Sequence, residues 1–243
     1  MNYQEVHPSS PYALYNAMAL NSPEQVTTPG SKLWNDAMYK KHPTPYSGLA
    51  GMVERFRVRS IIKMASITKS DHVLEVGCEA GNLLVSLPEA ARFVGADISE
   101  AALEDAQQNL DQKGRTAELI ACDATEDLPF AKGEFSVVIC SEMLEHVPHP
   151  EKVIDNLIKI AGEKTRIILS VPNEEPKLQI KRWLTKIGFM QLFMPTIEEE
   201  QSEWHLHAFS MSSFHKLIAG KMEINKVKLI CGLHIVAHCS IRK

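Results

Sequence analysis

The sequence predicts an α/β fold: a doubly wound, mostly parallel sheet with helices on both faces. Three observations carry this. Short apolar runs alternate with amphipathic stretches over roughly a hundred residues, the rhythm of repeated βα units. The apolar runs are nearly continuous rather than alternating, as strands covered on both faces require. Near the C-terminus two β-rich runs, Ile224–Ile230 and Leu233–Ile241, are joined through Cys231-Gly232 and read as a closing antiparallel pair.

The elements follow in order. Residues 1–47 are polar and punctuated by Pro8, Pro11, Pro23, Pro29, Pro43 and Pro45, so they read as an arm or lid with short helices at Tyr12–Leu20 and Lys32–Lys40. From Leu49 to Ile67, Met52, Val53, Phe56, Ile61 and Met64 recur near helical spacing among Glu54, Arg55, Arg57 and Arg59, an amphipathic helix leading into the core. His72–Val76 is the first strand, and a helix is expected from about Gly81 to Leu87. Ala91–Ala96 is the second strand, with Ser99 placed to cap a helix through Leu110. Glu118–Ala121 and Phe135–Cys140 are the third and fourth strands, Glu151–Ala161 a helix and Thr165–Val171 the fifth strand. The domain therefore occupies residues 48–243, with an insertion at about 173–213.

Composition narrows the function. With 243 residues, 44% hydrophobic, 23% charged and a net charge of −4, disorder, collagen-like repeats and a disulfide scaffold are excluded. The mild negative charge argues against broad contact with nucleic-acid phosphates. Cys78, Cys122, Cys140, Cys231 and Cys239 are scattered, with no CxxC pair, which fits a reducing cytoplasmic setting. Met1–Glu5 lacks the basic start of a signal peptide, and no apolar run approaches the roughly 18 residues that span a bilayer.

In open α/β sheets ligands bind beyond the carboxyl ends of the strands, so those ends are where chemistry is sought. After the first strand comes Glu75-Val76-Gly77-Cys78-Glu79-Ala80-Gly81, where glycines permit a tight turn and close approach to a ligand, and the helix expected next would offer N–H groups to an anion. After the second comes Asp97, able to accept from both hydroxyls of a ribose; after the third, Asp123 and Ala124, where an adenine amino group could bond. After the fourth come Ser141, Glu142, Glu145 and His146. A nicotinamide-dinucleotide loop would need glycines at 77, 79 and 82, whereas the chain has Gly77, Glu79 and Asn82.

Glu75–Gly81, Asp97, Asp123 and the Ser141-Glu142-Met143-Leu144-Glu145-His146 segment together resemble the class I S-adenosylmethionine-dependent methyltransferases, over about residues 49–175. The resemblance implies a Rossmann-like seven-stranded sheet whose last strand is antiparallel. It also implies S-adenosyl-L-methionine as cofactor, bound by Glu75, Gly77, Cys78, Gly81, Asp97, Ile98, Asp123, Ala124 and Ser141. Gly77 and Gly81 would flank the methionine moiety, Asp97 the ribose, and Asp123 with Ala124 the adenine. Glu79 stands where the family usually has glycine, which raises the question of whether the loop can keep its shape.

Methyl transfer to oxygen needs a proton acceptor, and His146, with Glu142 beside it, is the expected catalytic pair. If the segment is helical, Glu142, Glu145 and His146 share one face and can hold a divalent cation such as Mg²⁺. The segment is similar to that of ubiquinone-biosynthesis O-methyltransferases, and also to the metal motif of small-RNA 3′-end 2′-O-methyltransferases, whose later histidine His205 would match. Tyr39, His42, Tyr46, Trp183, Trp204, His205 and His207 are candidate acceptor contacts, whereas His234 and His238 read as structural. The basic amphipathic stretch 177–194 can lie on an anionic membrane surface, lid an apolar pocket or cover the sheet edge. The expected function is methylation of a small hydroxylated, quinone-like or otherwise apolar acceptor. The alternatives are metal-assisted RNA 3′-end methylation and non-catalytic cofactor binding. The sequence leaves the oligomeric state open.

Overall fold

In a computed structural model of the chain, the residues described are 31–41, 48–175 and 205–242. The helix expected at Tyr12–Leu20 and the basic stretch 177–194 lie outside them. The elements are α1 (Lys32–Lys41), α2 (Gly48–Ala65), β1 (His72–Val76), β2 (Arg92–Asp97), α3 (Glu100–Gln112), β3 (Glu118–Ala121), β4 (Val137–Ser141), α4 (Pro150–Ile160), β5 (Arg166–Pro172), α5 (Met211–Ile218), β6 (Met222–Ile230) and β7 (His234–Ile241). Seven strands form one sheet in the order β3-β2-β1-β4-β5-β7-β6. The first five pair in parallel, and β7 runs antiparallel to both β5 and β6. The predicted architecture is present, and the strand order reverses between β1 and β4, where such sheets open a crevice for ligands.

The near-continuous apolar strands are explained by two cores, one on each face. Leu74, Val76, Val138 and Cys140 pack with Val153, Ile154 and Leu157 of α4 and with Phe214 and Ile218 of α5. Their strand neighbours Val73, Val137 and Ile139 face the other way, against Ile61 and Met64 of α2 and Leu103 and Leu110 of α3. Burying each such side chain stabilises the fold by about 1.5–3 kcal/mol.

Two local expectations change. Residues 81–87 form only a 3₁₀ turn at Leu84–Ser86, not an α-helix, because Pro88 ends the segment before a second turn can form. Arg115 compensates by donating to the Leu84 and Leu87 carbonyls at 3.4 and 2.7 Å. The chain therefore presents no helix N-terminus to an anion at this loop. Helix α5 was not foreseen; Ser210 and Ser213 cap it reciprocally, and it begins within the stretch read as insertion.

At the opposite edge of the sheet, Asp71 ties four elements together. Its carboxylate accepts from the Ser136 hydroxyl at 2.6 Å, from the Thr68 N–H at 2.7 Å and hydroxyl at 2.8 Å, and from the Arg166 guanidinium. Arg166 also donates to the Ala65 and Ser66 carbonyls at the end of α2, both at 2.7 Å. Burial alone would raise the Asp71 carboxyl, but these hydrogen bonds outweigh it and hold the group well below the ordinary carboxylate range. A depressed carboxyl contributes stability that is full above its unfolded value of about 3.9 and is lost as pH falls through the folded value. Asp71→Asn should therefore lower the unfolding free energy by about 2–3 kcal/mol at neutral pH. In urea titrations the gap to wild type should narrow below about pH 4; a gap independent of pH would refute the assignment.

Candidate active site

The loop after β1 is clamped to β2 as it leaves the sheet, because the Gly77 and Cys78 N–H groups both donate to the Ala96 carbonyl, at 2.8 and 3.1 Å. Gly77 takes φ +74° and lies under Met143, whose Cγ and Sδ stand 2.6 Å from where a Cβ would be. Glu79 adopts φ +46°, so the loop keeps its turn without a glycine there, at a cost of about 1 kcal/mol. Its N–H donates to Asp97 Oδ2 at 2.9 Å, while Asp97 Oδ1 accepts from Ser99 N–H at 2.9 Å. Asp97 is thus fixed at the tip of β2 with lone pairs to spare, and Ile98 follows it half-buried. The Cys78 side chain is buried, so this residue brings its backbone to the site and its thiol to the core.

Glu75 is 3% exposed, and its Oε2 has no hydrogen-bond partner among the described residues. Burial pushes its carboxyl well up; Arg57 opposes that, and Asp97 and Glu79 reinforce it. Asp97 is raised as well, by burial first. After β3, Asp123 Oδ1 accepts from the Thr125 N–H and hydroxyl at 2.8 and 2.7 Å, and Ala124 is buried beside it. Helix α1 lies across the start of α3: Lys32 pairs with Glu100 at 2.6 Å, Asp36 accepts from the Ser99 hydroxyl, and the Tyr39 hydroxyl donates to Asp105 at 2.7 Å. Tyr39, expected among the acceptor contacts, therefore stands on the Asp97 side of the site.

The loop after β4 is not helical, so the one-face grouping of Glu142, Glu145 and His146 does not form. Glu142 sits at φ +53° with its N–H bonded to the Ser170 carbonyl at 2.9 Å, and Pro148 delays the next helix to Pro150. Its side chain accepts from the Ser170 hydroxyl at 2.6 Å, bonds His234 Nδ1 at 2.9 Å and lies 4.0 Å from Arg57. Arg57 is 7% exposed, gripped at two nitrogens by Glu54, and donates to the Ser141 hydroxyl. Burial raises the Glu142 carboxyl, but Arg57, His234 and Ser170 prevail and hold it at about 2.

Glu145 is the opposite case. It is 1% exposed, its Oε2 has no partner among the described residues, and burial followed by the nearby Glu142 charge keeps its carboxyl well up. Its Oε1 is 3.8 Å from His146 Nε2, and the His146 and His205 rings meet edge to face with centroids 5.0 Å apart. His205 Nδ1 is 3.6 Å from Glu174. Of the four expected metal ligands, Glu145, His146 and His205 gather with ligand atoms within 4.8 Å of one another. Glu142 is held away from them by Ser170, His234 and Arg57. His207 lies close by, its Nε2 3.3 Å from the Pro148 carbonyl, while His42, Tyr46, Trp183 and Trp204 fall outside the described residues.

Arg57, Ser170 and His234 are members of the site that the sequence does not reveal, since His234 reads there as structural. Arg57 carried a signal: it falls four residues from both Val53 and Ile61, on the apolar stripe of α2.

The methyltransferase-domain family matches residues 67–229. Ubiquinone biosynthesis O-methyltransferases from Dechloromonas aromatica and Pseudomonas syringae pv. tomato are 35% and 33% identical to the chain, over 43% and 51% of it and 46% and 54% of their own length. The chain thus spans about half the length of the curated relatives it matches. Magnesium protoporphyrin IX methyltransferase from Synechocystis PCC 6803, solved with bound S-adenosylhomocysteine, superposes with a TM-score of 0.63 at 17% identity, over 87% of this chain and 98% of that one. An N-methyltransferase from Bradyrhizobium japonicum WM9, also solved with S-adenosylhomocysteine, gives 0.58 at 16% identity, over 87% and 95%. At these identities the likeness establishes the fold.

The contact between Gly77 and Met143 can be measured. Gly77→Ala should cost about 2–3 kcal/mol of stability in the wild-type background, from the left-handed backbone and the overlap together. In a Met143→Ala background only the backbone share of about 1 kcal/mol should remain. Equal costs in the two backgrounds would show that the side chains do not meet.

Proposed function

The chain belongs to the methyltransferase-domain family, and on that premise we propose that it transfers a methyl group from S-adenosylmethionine to an oxygen of a small hydroxylated acceptor. The observation that carries this is the crowding of carboxyl groups at the ends of β1 and β2. There Glu75, beside Asp97 and Glu79, keeps a buried oxygen without a partner among the described residues. A ligand bearing an ammonium, a sulfonium and two ribose hydroxyls suits such a set, since it brings positive charge and donors to a crowd of carboxyl oxygens. S-adenosylmethionine supplies a methyl carbon open to in-line displacement, which leaves alignment of the partners to the protein. Asp97 would hold the ribose, Gly77 and Gly81 admit close backbone approach, and Asp123 with Ala124 would border the base. The named activity of the ubiquinone-biosynthesis relatives supports a hydroxylated aromatic or quinone-like acceptor.

A second reading rests on Glu145, His146 and His205. Three atoms bound to one divalent cation lie about 3–4 Å from one another, so this set, spread within 4.8 Å, would draw in around a cation, and the Glu145 oxygen without a partner among the described residues fits a ligand role. A cation there would polarise an acceptor oxygen. Metal-assisted RNA methylation would also use these residues, but the net charge of −4 and the engagement of Glu142 by Arg57 and His234 favour the small acceptor.

Calorimetry with S-adenosylhomocysteine tests the main reading. Wild type should bind, and Asp97→Ala should weaken binding by about 30-fold or more, as expected for losing charge-assisted hydrogen bonds to hydroxyls. Absence of binding by wild type would overturn the proposal, and binding without turnover on a panel of catechols would make the protein a cofactor-binding module. For the cation, a Mn²⁺ titration read by electron paramagnetic resonance should show one site that His205→Ala weakens at least about tenfold. Equal Mn²⁺ binding by wild type and variant would exclude the cluster.

A further inference from the structure

We propose that His234, oriented by Glu142, takes the proton from the acceptor hydroxyl, an inference that rests on the methyl-transfer reading. Topology places it there. Because β7 runs antiparallel, its first residue lies at the carboxyl edge of the sheet, where His234 pairs with Pro172 at the end of β5. His234 Nδ1 is 2.9 Å from Glu142 Oε2. That carboxylate cannot drift, since Ser170 donates to its other oxygen at 2.6 Å and Arg57 flanks it at 4.0 Å. An ionised carboxylate at this position selects the imidazole tautomer with hydrogen on Nδ1 and leaves the lone pair on Nε2. No hydrogen bond from a described residue reaches Nε2, and the side chain is 20% exposed, so a ligand can approach it.

The adjoining turn adds an independent sign of a ligand. Asn173 is 4% exposed and holds the β6–β7 turn by donating its N–H to the Leu233 carbonyl at 2.7 Å and its Nδ2 to the Gly232 carbonyl at 2.8 Å. Its Oδ1 is buried without a partner among the described residues. His146 is in a different position: its ring lies against both Glu145 and His205, the set that suits a cation.

The step balances. As the acceptor oxygen bonds the methyl carbon, its proton moves to His234 Nε2 and the carbon–sulfur electron pair stays on sulfur. The products are a methyl ether, S-adenosylhomocysteine and an imidazolium whose charge Glu142 balances. Glu142 is thus a positioning residue and His234 a catalytic one.

Two measurements test the pair. ¹⁵N NMR of the histidine rings in the full chain should show His234 as the Nδ1–H tautomer in wild type, shifting toward Nε2–H in Glu142→Ala; an Nε2–H ring in wild type would overturn the pairing. Turnover of 3,4-dihydroxybenzoate, or of whichever catechol wild type methylates, should fall about 100-fold or more in kcat for His234→Gln. The same variant should keep its affinity for S-adenosylhomocysteine, and His234→Asn repeats the test should the first variant fold poorly. A methylating wild type whose His234 variants keep kcat within about threefold would overturn the base role alone. A wild type that neither binds S-adenosylhomocysteine nor methylates any catechol would overturn the methyl-transfer reading, and the base role with it.

Discussion

A single buried guanidinium, that of Arg57, faces several carboxylates at the carboxyl edge of the sheet. Glu54 grips it at two nitrogens, and Glu75, Glu142 and Glu145 all feel its charge. Buried carboxylates without a counter-charge would each cost several kcal/mol, and among the described residues α2 delivers the buried guanidinium that offsets this at the strand ends. The same interaction fastens α2 to β4 through Ser141 and so joins the N-terminal part of the chain to the site. Arg57 does not neutralise the whole set, however. Burial still pushes the Glu75, Asp97 and Glu145 carboxyls up, so the carboxyl edge keeps more acidic groups than its one buried guanidinium holds ionised.

Sharing one cation among unequal partners drives Glu142 and Glu145 apart. Two residues separate them in sequence, yet Glu142 collects donors from Arg57, Ser170 and His234, while Glu145 has a buried oxygen with none among the described residues. One carboxyl is held ionised and the other is pushed toward its neutral form, the kind of division by environment that lets neighbouring acids take different roles. The left-handed backbone at Glu142 makes this division, because it turns that side chain toward β5 and β7 and away from Glu145.

The sheet and the cofactor-side loop were legible because their signals are local. An apolar run such as Val73–Val76 needs only its own residues to declare a doubly covered strand, and Asp97 sits at a strand end by simple counting. Ser99 announced its helix, and the structure shows its side chain capping Ala102 N–H at 3.1 Å. The Glu142–His146 segment misled because i, i+3, i+4 spacing has meaning only on a helix, and a left-handed residue followed by prolines denies it one. Arg57 and His234 are 85 and 92 residues from Glu142. Only the packing of α2 and the placement of β7 bring them to it, and no periodicity in the chain records such distant pairings.

The position of β7 has a consequence for the order in which the molecule can be completed. Synthesis delivers β5 and β6 before the strand that lies between them, so β6 has no partner in the sheet until β7 has emerged and been inserted. His234 arrives with that strand, and until then Glu142 lacks one of its donors. The Gly77–Asp97 half leaves the ribosome first, while the other half still waits for its last strand. The last strand of the sheet to leave the exit tunnel is also the one that completes the polar cluster around Glu142.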